Sequence, residues 1–254
     1  AGESLVLLSP GIPAPAFPQS DEIREALGGR EHDKAADLLT AMDLSDLPGP
    51  TVGPHAFVTA WSLVRADRAG EAASFLSRME ASEDIPQDYM ALTQAEIHLA
   101  NNDPIKAAQA LESVPADSPL HGRAMLVRAQ SLQDAGRTRD ATDVFEALVA
   151  RADPAEGSAK ALWALAKKRG LNNPRSASHL SRLWAHYPTT SEGKSAQTAL
   201  QNQGFQPSDA ERLSRARAWM GAGAWRTVIR FLEPNKSSFS AVDPVHCEFA
   251  YILG

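Results

Sequence analysis

The sequence predicts an all-α protein made of consecutive helix pairs. Small and apolar residues recur at steps of three and four along most of the 254 residues, as they do on one face of an α-helix. The stretch from Pro119 to Pro154 shows the unit most clearly, because two such amphipathic segments flank Gly136. Glycine accepts the positive φ with which many helices end, so we predict a tight turn at Gly136.

A twelve-residue step repeats along the chain and predicts how the helices pack. Two residues at this spacing lie where the antiparallel helices of one pair would cross, and they are termed crossing positions. Small residues occupy them, and a larger apolar residue follows four positions later: Ala60–Ala72–Leu76, Ala95–Ala107–Leu111, Ala129–Ala141–Phe145 and Ala216–Val228–Leu232. The first three matches start 35 and 34 residues apart, close to the length of a tetratricopeptide repeat. We therefore predict a superhelical, tetratricopeptide-like helix-turn-helix solenoid, in which neighbouring pairs cover one another.

Prolines divide the chain before the first of these matches. Residues 1–20 are predicted to be a proline-rich arm or linker, since SPGIPAPAFPQS contains four prolines. A first helix pair follows, with Asp21 capping its first helix, a Gly28–Gly29 turn and a second helix over 32–42. Residues 47–54, LPGPTVGP, are predicted to break the chain again.

The C-terminal half is predicted to contain a seam between two repeat stacks. Residues 158–188 form a helix pair with a longer connection, and a short helix with a loop follows between Pro188 and Pro207. We interpret 21–201 as a first helical-repeat stack and 208–254 as the start of a second. A last helix begins at Pro244 without a partner to cover its apolar face, so the chain is expected to be a fragment truncated at its C-terminus.

Composition and charge limit the classes of partner that we expect for this chain. The net charge of −6 is uneven, at −12 over residues 1–120, +5 over 121–182 and +1 over 183–254. The pI is near 5.7 and the basic residues do not alternate with aromatic ones, so no nucleic-acid partner is expected. No apolar run approaches the roughly 18 residues that a membrane-spanning helix needs, so no membrane span is expected.

No motif for catalysis or metal binding is found. The seven histidines are scattered, and only His179 and His186 share a helix face, with no cysteine or carboxylate to complete a metal site. We therefore predict no metal, no other cofactor and no catalytic residue in this chain. The segment MGAGAW (220–225) lacks the lysine of a phosphate-binding loop and is predicted to be a turn. Cys247 lies in an apolar segment and is expected to be buried and unreactive.

Three segments of the second half share the layout of one known family. They are SPLHGRAMLVRAQSLQDAGRTRDA, SRLWAHYPTTSEGKSAQTAL and ERLSRARAWMGAGAWRTVIRFLEP. Helical repeats run to a tyrosine-proline junction with small polar residues, here Tyr187-Pro188-Thr189-Thr190-Ser191, and a repeat rich in arginine and alanine follows. In this layout residues 55–254 resemble the N-terminal superhelical region of soluble lytic murein transglycosylases.

The resemblance implies a periplasmic protein of the bacterial cell envelope. The family's enzymes cleave peptidoglycan glycan strands to a 1,6-anhydro product, with a catalytic glutamate followed by serine and then by a Gly-Leu-Met-Gln segment. Glu-Ser occurs here at Glu3-Ser4 and Glu112-Ser113, but neither is followed by such a segment. We therefore expect a non-catalytic scaffold that guides glycan strands or protein partners. The alternative is a free-standing tetratricopeptide adaptor that binds a peptide or protein in its concave groove.

The candidate site is the concave groove, which the first helix of each pair forms in such arrays. By helical phase, the groove includes the residue after each first crossing position and the residue three positions further on. These residues are Trp61, Val64, Glu96, Leu99, Gln130, Gln133, Arg217 and Met220. Their aromatic, amide and guanidinium groups suit an extended neutral or anionic ligand such as a glycan strand or peptide. No acid among them is placed as a proton donor in a pocket, so cleavage is not expected.

Overall fold

Helices make up most of the described part of the chain. A computed structural model describes residues 20–42, 47, 49–80, 85–151, 157–234 and 244–253, which are 79% helical with no strand among them. The predicted all-α fold class is thereby confirmed. The helices are α1 (Ser20–Gly28), α2 (His32–Thr40), α3 (Gly49–Arg65), α4 (Ala69–Ala72), α5 (Leu76–Glu80), α6 (Gln87–Ala100), α7 (Pro104–Ala110), α8 (His121–Asp134), α9 (Thr138–Ala150), α10 (Ser158–Arg169), α11 (Ala177–His186), α12 (Ser191–Asn202), α13 (Asp209–Gly221), α14 (Trp225–Leu232) and α15 (Pro244–Leu253).

The chain divides into two compact units, residues 1–137 and 138–254, here the N-terminal and C-terminal units. Within the N-terminal unit, α3 packs against α2, α4, α5 and α6, while α6 packs against α7 and α8. Within the C-terminal unit, α11 packs against α10, α12 and α13, and α13 packs against α14 and α15. Helices thus contact mainly the next helix and the next but one. The predicted stacks 21–201 and 208–254 stay a prediction, although α11 and α13, on either side of the interpreted seam, pack against each other.

The crossing positions are buried. Ala60, Ala72, Ala95, Ala107, Ala129, Ala216 and Val228 are 0% exposed, and Ala141 is 1% exposed. Helix axes can approach to about 8 Å only where the side chains between them are small. The apolar residue four positions on is also mostly buried, as Leu111, Phe145 and Leu232 show. Within each unit, in the pairs α3–α4, α6–α7 and α13–α14, the twelve-residue step therefore marks the interior between the two helices.

Two further pairs follow the same step with a large residue at the first crossing position. Ile23 and Ala35 are twelve residues apart on α1 and α2, and Leu39 follows four positions later, all buried. In the C-terminal unit, Trp184 on α11 and Ala196 on α12 are likewise twelve apart and buried. Helices α11 and α12 are therefore a helix pair, and the tyrosine-proline junction is the tight turn between them.

Gly193 allows the turn between α11 and α12 to be tight. A Cβ at Gly193 would lie 1.9 Å from the carbonyl oxygen of Tyr187, which no side chain tolerates. The hydroxyl of Thr190 accepts a hydrogen bond from the Gly193 N–H at 3.0 Å and donates one to the Tyr187 carbonyl at 2.9 Å. The turn thus folds back onto the first residues of α12, and Thr190 caps that helix.

Several local predictions are confirmed and others are wrong. Gly136 has a φ of 76°, as expected, and Gly223 turns the chain between α13 and α14 with a φ of 73°. The segment 47–54 does not break the chain, because α3 starts at Gly49 and continues through Pro54. Pro54 has no N–H to donate to the carbonyl of Pro50, so it costs α3 one backbone hydrogen bond near its start without ending the helix.

Two side-chain expectations also differ from the structure. Asp21 lies inside α1, which begins at Ser20, and does not cap it. Cys247 is exposed on α15 instead of buried, because Phe249 takes the inward position of that helix. The predicted arm over residues 1–20 lies, except for Ser20, outside the described residues.

The close crossing of α6 and α7 is tested by enlarging one crossing residue. Ala95→Leu is expected to overpack this interior and to lower the free energy of unfolding by about 1–3 kcal/mol. Ala100→Leu on the same helix changes an exposed residue and is the matched control, expected within about 0.5 kcal/mol of the parent protein. Urea unfolding measures both, and equal midpoints would contradict the assignment of the crossing position.

The buried side chain of His55 predicts a loss of stability in mild acid. Burial lowers the pKa of His55 on α3 from its ordinary value of 6.5. Below pH 6.5 the unfolded chain takes up a proton at this residue before the folded chain does, so acid favours unfolding. Replacing His55 by Gln is expected to flatten the fall in unfolding free energy between pH 7.5 and 5.5, by at most about 1.4 kcal/mol per pH unit. An unchanged slope, measured by urea unfolding across this range, would show that His55 titrates alike in both states.

Candidate functional site

The residues predicted to form the groove lie on α3, α6 and α8 of the N-terminal unit and on α13 of the C-terminal unit. Val64 and Leu99 are half-buried and pack against apolar clusters of the N-terminal unit, and Met220 does the same in the C-terminal unit. Gln130 and Gln133 are exposed on α8. Val64, Leu99 and Met220 therefore contribute to packing. Gln130 and Gln133 contribute to the polar surface of α8.

A carboxylate on α6 joins the first helices of three successive pairs. Glu96 Oε1 accepts a hydrogen bond from Arg65 on α3 at 3.3 Å and one from Arg123 on α8 at 3.2 Å. The Glu96 side chain is 22% exposed, so the ion pairs are partly shielded from solvent. The structure thus brings the predicted Glu96 into a row of alternating charge, here the Arg65–Glu96–Arg123 row, of which the two arginines were not predicted.

Trp61 lies beside this row. Its ring meets His32 edge to face, with 5.2 Å between ring centroids, and the Arg65 guanidinium lies 5.7 Å from its centroid. Burial lowers the pKa of His32, and the charges of Arg65 and Arg30 lower it further. The Trp61 Nε1–H is buried and has no hydrogen-bond partner among the described residues. The accessible part of Trp61 is therefore its half-buried ring, which can stack on a ligand.

In the C-terminal unit, the predicted Arg217 is engaged by a carboxylate of its own unit. Arg217 donates two hydrogen bonds to Glu248 on α15, one of them from Nε at 2.6 Å. These bonds hold the pKa of Glu248 below its usual value. A ligand at Arg217 therefore has to compete with a bidentate ion pair.

The C-terminal unit also contains a cavity that the sequence analysis does not predict. It has a volume of about 260 Å³ and lies among α11, α12, α13, α14 and the connection after α12. Its lining residues are Trp184, Gln197, Leu200, Gln201, Phe205, Pro207, Arg215, Trp219 and Phe231. The rings of Trp184 and Phe205 meet edge to face at 5.9 Å, as do those of Trp219 and Phe231 at 5.1 Å.

Arg215 places a positive charge at this cavity. It is 4% exposed, and its guanidinium carbon lies 4.4 Å from the ring centroid of Trp184 and 4.4 Å from that of Trp219. It donates one hydrogen bond to the backbone carbonyl of Trp184 and another to Gln197 Oε1 at 2.7 Å. Both acceptors are neutral, and burial lowers the pKa of Arg215 to about 10. The arginine thus remains protonated at neutral pH.

The side chains at these places offer charged, amide and aromatic groups to a ligand. Glycan cleavage requires an acid that can protonate a leaving group in a pocket. The cavity has no carboxylate in its lining, and the Glu96 carboxylate is engaged by two arginines. The described residues contain no group of three or more histidine, cysteine or carboxylate side chains that could hold a metal ion.

The sequence does not predict the cavity, because a sequence pattern does not show whether an arginine is buried or exposed. Arg215 directly precedes the crossing residue Ala216, and Trp219 follows one helical turn later. The twelve-residue step from Trp184 to Ala196 was the available signal, because it places a tryptophan where two helices cross. Its partners on other helices are set by packing that no local pattern records.

Comparisons with known proteins do not assign the chain to a family. No protein-family model matches it, and no curated protein is significantly similar to it in sequence. Among the described helices, none combines the length and the apolar composition required to cross a bilayer.

The Arg65–Glu96–Arg123 row predicts a measurable, salt-dependent contribution to stability. Glu96→Gln removes two ion pairs and is expected to lower the free energy of unfolding by about 1 kcal/mol at low ionic strength. Glu112→Gln removes the single, more exposed pair with Arg128 and should cost less than about 0.5 kcal/mol. Unfolding in 0.05 and 1 M salt measures the effect, which salt should reduce. A Glu96→Gln effect that is insensitive to salt would contradict an ionic origin.

Proposed function

We propose that this chain is a non-catalytic, tetratricopeptide-like scaffold, the superhelical part of a periplasmic peptidoglycan lytic transglycosylase. The observation that supports the proposal is the pairing of helices at buried residues twelve positions apart, which is found in α1–α2, α3–α4 and α6–α7 of the N-terminal unit and in α11–α12 and α13–α14 of the C-terminal unit. Repeated pairs of this kind expose the same face of each first helix, and repeat proteins use such faces for binding. The family and the periplasmic location rest on the resemblance of the sequence layout.

The junction that carries the resemblance has a structural role that supports this reading. Tyr187-Pro188-Thr189-Thr190-Ser191 turns the chain between α11 and α12, and Gly193 permits the close approach. A motif that fixes the geometry of a helix pair is expected to recur wherever that pair recurs. It is a motif of architecture, and it assigns no catalytic role.

The surface of the first helices in the N-terminal unit supports guidance of an extended partner. Trp61 offers a half-buried ring, and the Arg65–Glu96–Arg123 row offers both charges across α3, α6 and α8. Gln130 and Gln133 add amides on α8. Aromatic and amide groups suit both sugars and peptide backbones, which fits a glycan strand or a protein partner.

A second candidate is a tetratricopeptide adaptor that binds a peptide. The Arg65–Glu96–Arg123 row favours it, because fixed alternating charges select a partner of complementary charge pattern. A glycan strand without its peptides has no such pattern.

Incubation with purified peptidoglycan tests the proposed scaffold. We expect weak co-sedimentation, reduced several-fold by Trp61→Ala, and no anhydro-muropeptides in the supernatant. Trp225→Ala is the matched control, because Trp225 is 54% exposed on α14 and lies outside the proposed groove. Anhydro-muropeptide release that follows this protein through purification would overturn the non-catalytic assignment. Equal loss of sedimentation with both tryptophan variants would overturn the role of the groove.

A further inference from the structure

The cavity around Arg215 contains a buried cation that has no anionic partner among the residues that the structure describes. Among the described residues, its hydrogen-bond acceptors are the Trp184 carbonyl and the Gln197 amide oxygen, both neutral. A guanidinium carries five N–H donors, so three remain for another acceptor. The indoles of Trp184 and Trp219 stabilise the charge through their faces but accept no bond at its edge. The site therefore favours a ligand with a negative charge that accepts hydrogen bonds in the guanidinium plane.

The rest of the lining indicates what kind of chemical group carries the negative charge of the ligand. Phe205, Phe231, Leu200 and Pro207 form an apolar wall. A cavity of about 260 Å³ is small for a drug-sized ligand and suits a single side chain. Most of the hydroxyls of a sugar would find no side-chain acceptor, because Arg215 and the two indoles only donate and Gln197 Oε1 already accepts from Arg215. The lining thus favours a hydrophobic body.

The side-chain amides of Gln197 and Gln201 can form hydrogen bonds with the polar part of such a ligand. Gln197 already accepts from Arg215, which leaves its NH₂ as a donor, while Gln201 is exposed and offers both a donor and an acceptor. A peptide that ends in a hydrophobic residue presents one carboxylate, one apolar side chain and one backbone amide within a few bonds. Each of these groups has a counterpart in the lining.

We propose that the cavity among α11, α12, α13 and α14 binds the C-terminal residue of a peptide, with its carboxylate on Arg215 and its hydrophobic side chain against Phe231 and Leu200. The site uses none of the residues assigned to the groove. Its failure would leave the proposed scaffold function intact, and failure of that function would leave the site intact.

Calorimetric titration of the whole chain with matched probes tests the ligand chemistry. The probes are the tripeptide acetyl-Gly-Gly-Leu with a free carboxylate, its C-terminal amide, and N-acetylmuramic acid. The free acid is expected to bind at least about tenfold more tightly than the amide, the fold-change expected when one hydrogen bond to a charged group is lost. Equal affinity of acid and amide would overturn the role of Arg215. Tighter binding of N-acetylmuramic acid than of the tripeptide acid would overturn the assignment to a peptide.

Two pairs of variants locate the binding. Gln201→Glu adds a negative charge at the exposed edge of the cavity and is expected to weaken the tripeptide acid about fivefold, with little effect on the amide. Asn202→Asp makes the same charge change at the next, exposed residue outside the lining and should leave the affinity unchanged. Equal effects of both variants would overturn the site.

The second pair of variants removes the cation itself. Arg215→Gln should abolish the preference for the acid, while Arg226→Gln changes an exposed arginine of α14 and should keep it. Circular dichroism shows whether Arg215→Gln folds. If it does not, the Gln201→Glu and Asn202→Asp comparison decides the proposal without it. A folded Arg215→Gln variant that still prefers the acid would overturn the proposal.

Discussion

The close approach of paired helices at small residues is the constraint on which the rest of this structure depends. A helix pair buries little apolar surface by itself, and it gains contacts only if its axes come near enough for larger side chains to interdigitate. Ala60 and Ala72 permit this in α3 and α4, and Gly193 permits it where α12 meets the preceding turn. The larger apolar residues one helical turn away then fill the remaining space. The positions of the exposed side chains follow from these contacts.

The sequence predicts this arrangement where its cause is local. Periodicity gives the helices, and a twelve-residue step between alanines gives the interior of a pair, because both depend on spacing within one segment. The same step was missed at Ile23 and Trp184, where a large residue takes the first crossing position. Whether a large side chain fits there depends on what the opposite helix leaves free. Pro54 was misjudged for a related reason, since its effect depends on where the helix starts.

The candidate binding surfaces were predictable to different degrees. The phase of the first helices placed Glu96 on a common face with its neighbours, but its two arginine partners come from α3 and α8. The cavity around Arg215 brings together four helices and one connection. The two charges illustrate opposite solutions: Glu96 is partly exposed and compensated twice, whereas Arg215 is buried and stabilised by neutral dipoles and ring faces. Burial of an uncompensated charge costs free energy, and such a cost is common at sites that bind ligands.

Arg215 also affects how the C-terminal unit unfolds. Its backbone belongs to α13, its guanidinium donates to the last turn of α11 through Trp184, and it donates to α12 through Gln197. One side chain thus crosslinks three helices that are consecutive in their packing. Sub-global opening that detaches α13 from α11 and α12 must expose this charge and two indoles together. We therefore expect α11, α12 and α13 to open together, so that their amide protons exchange with solvent at similar rates.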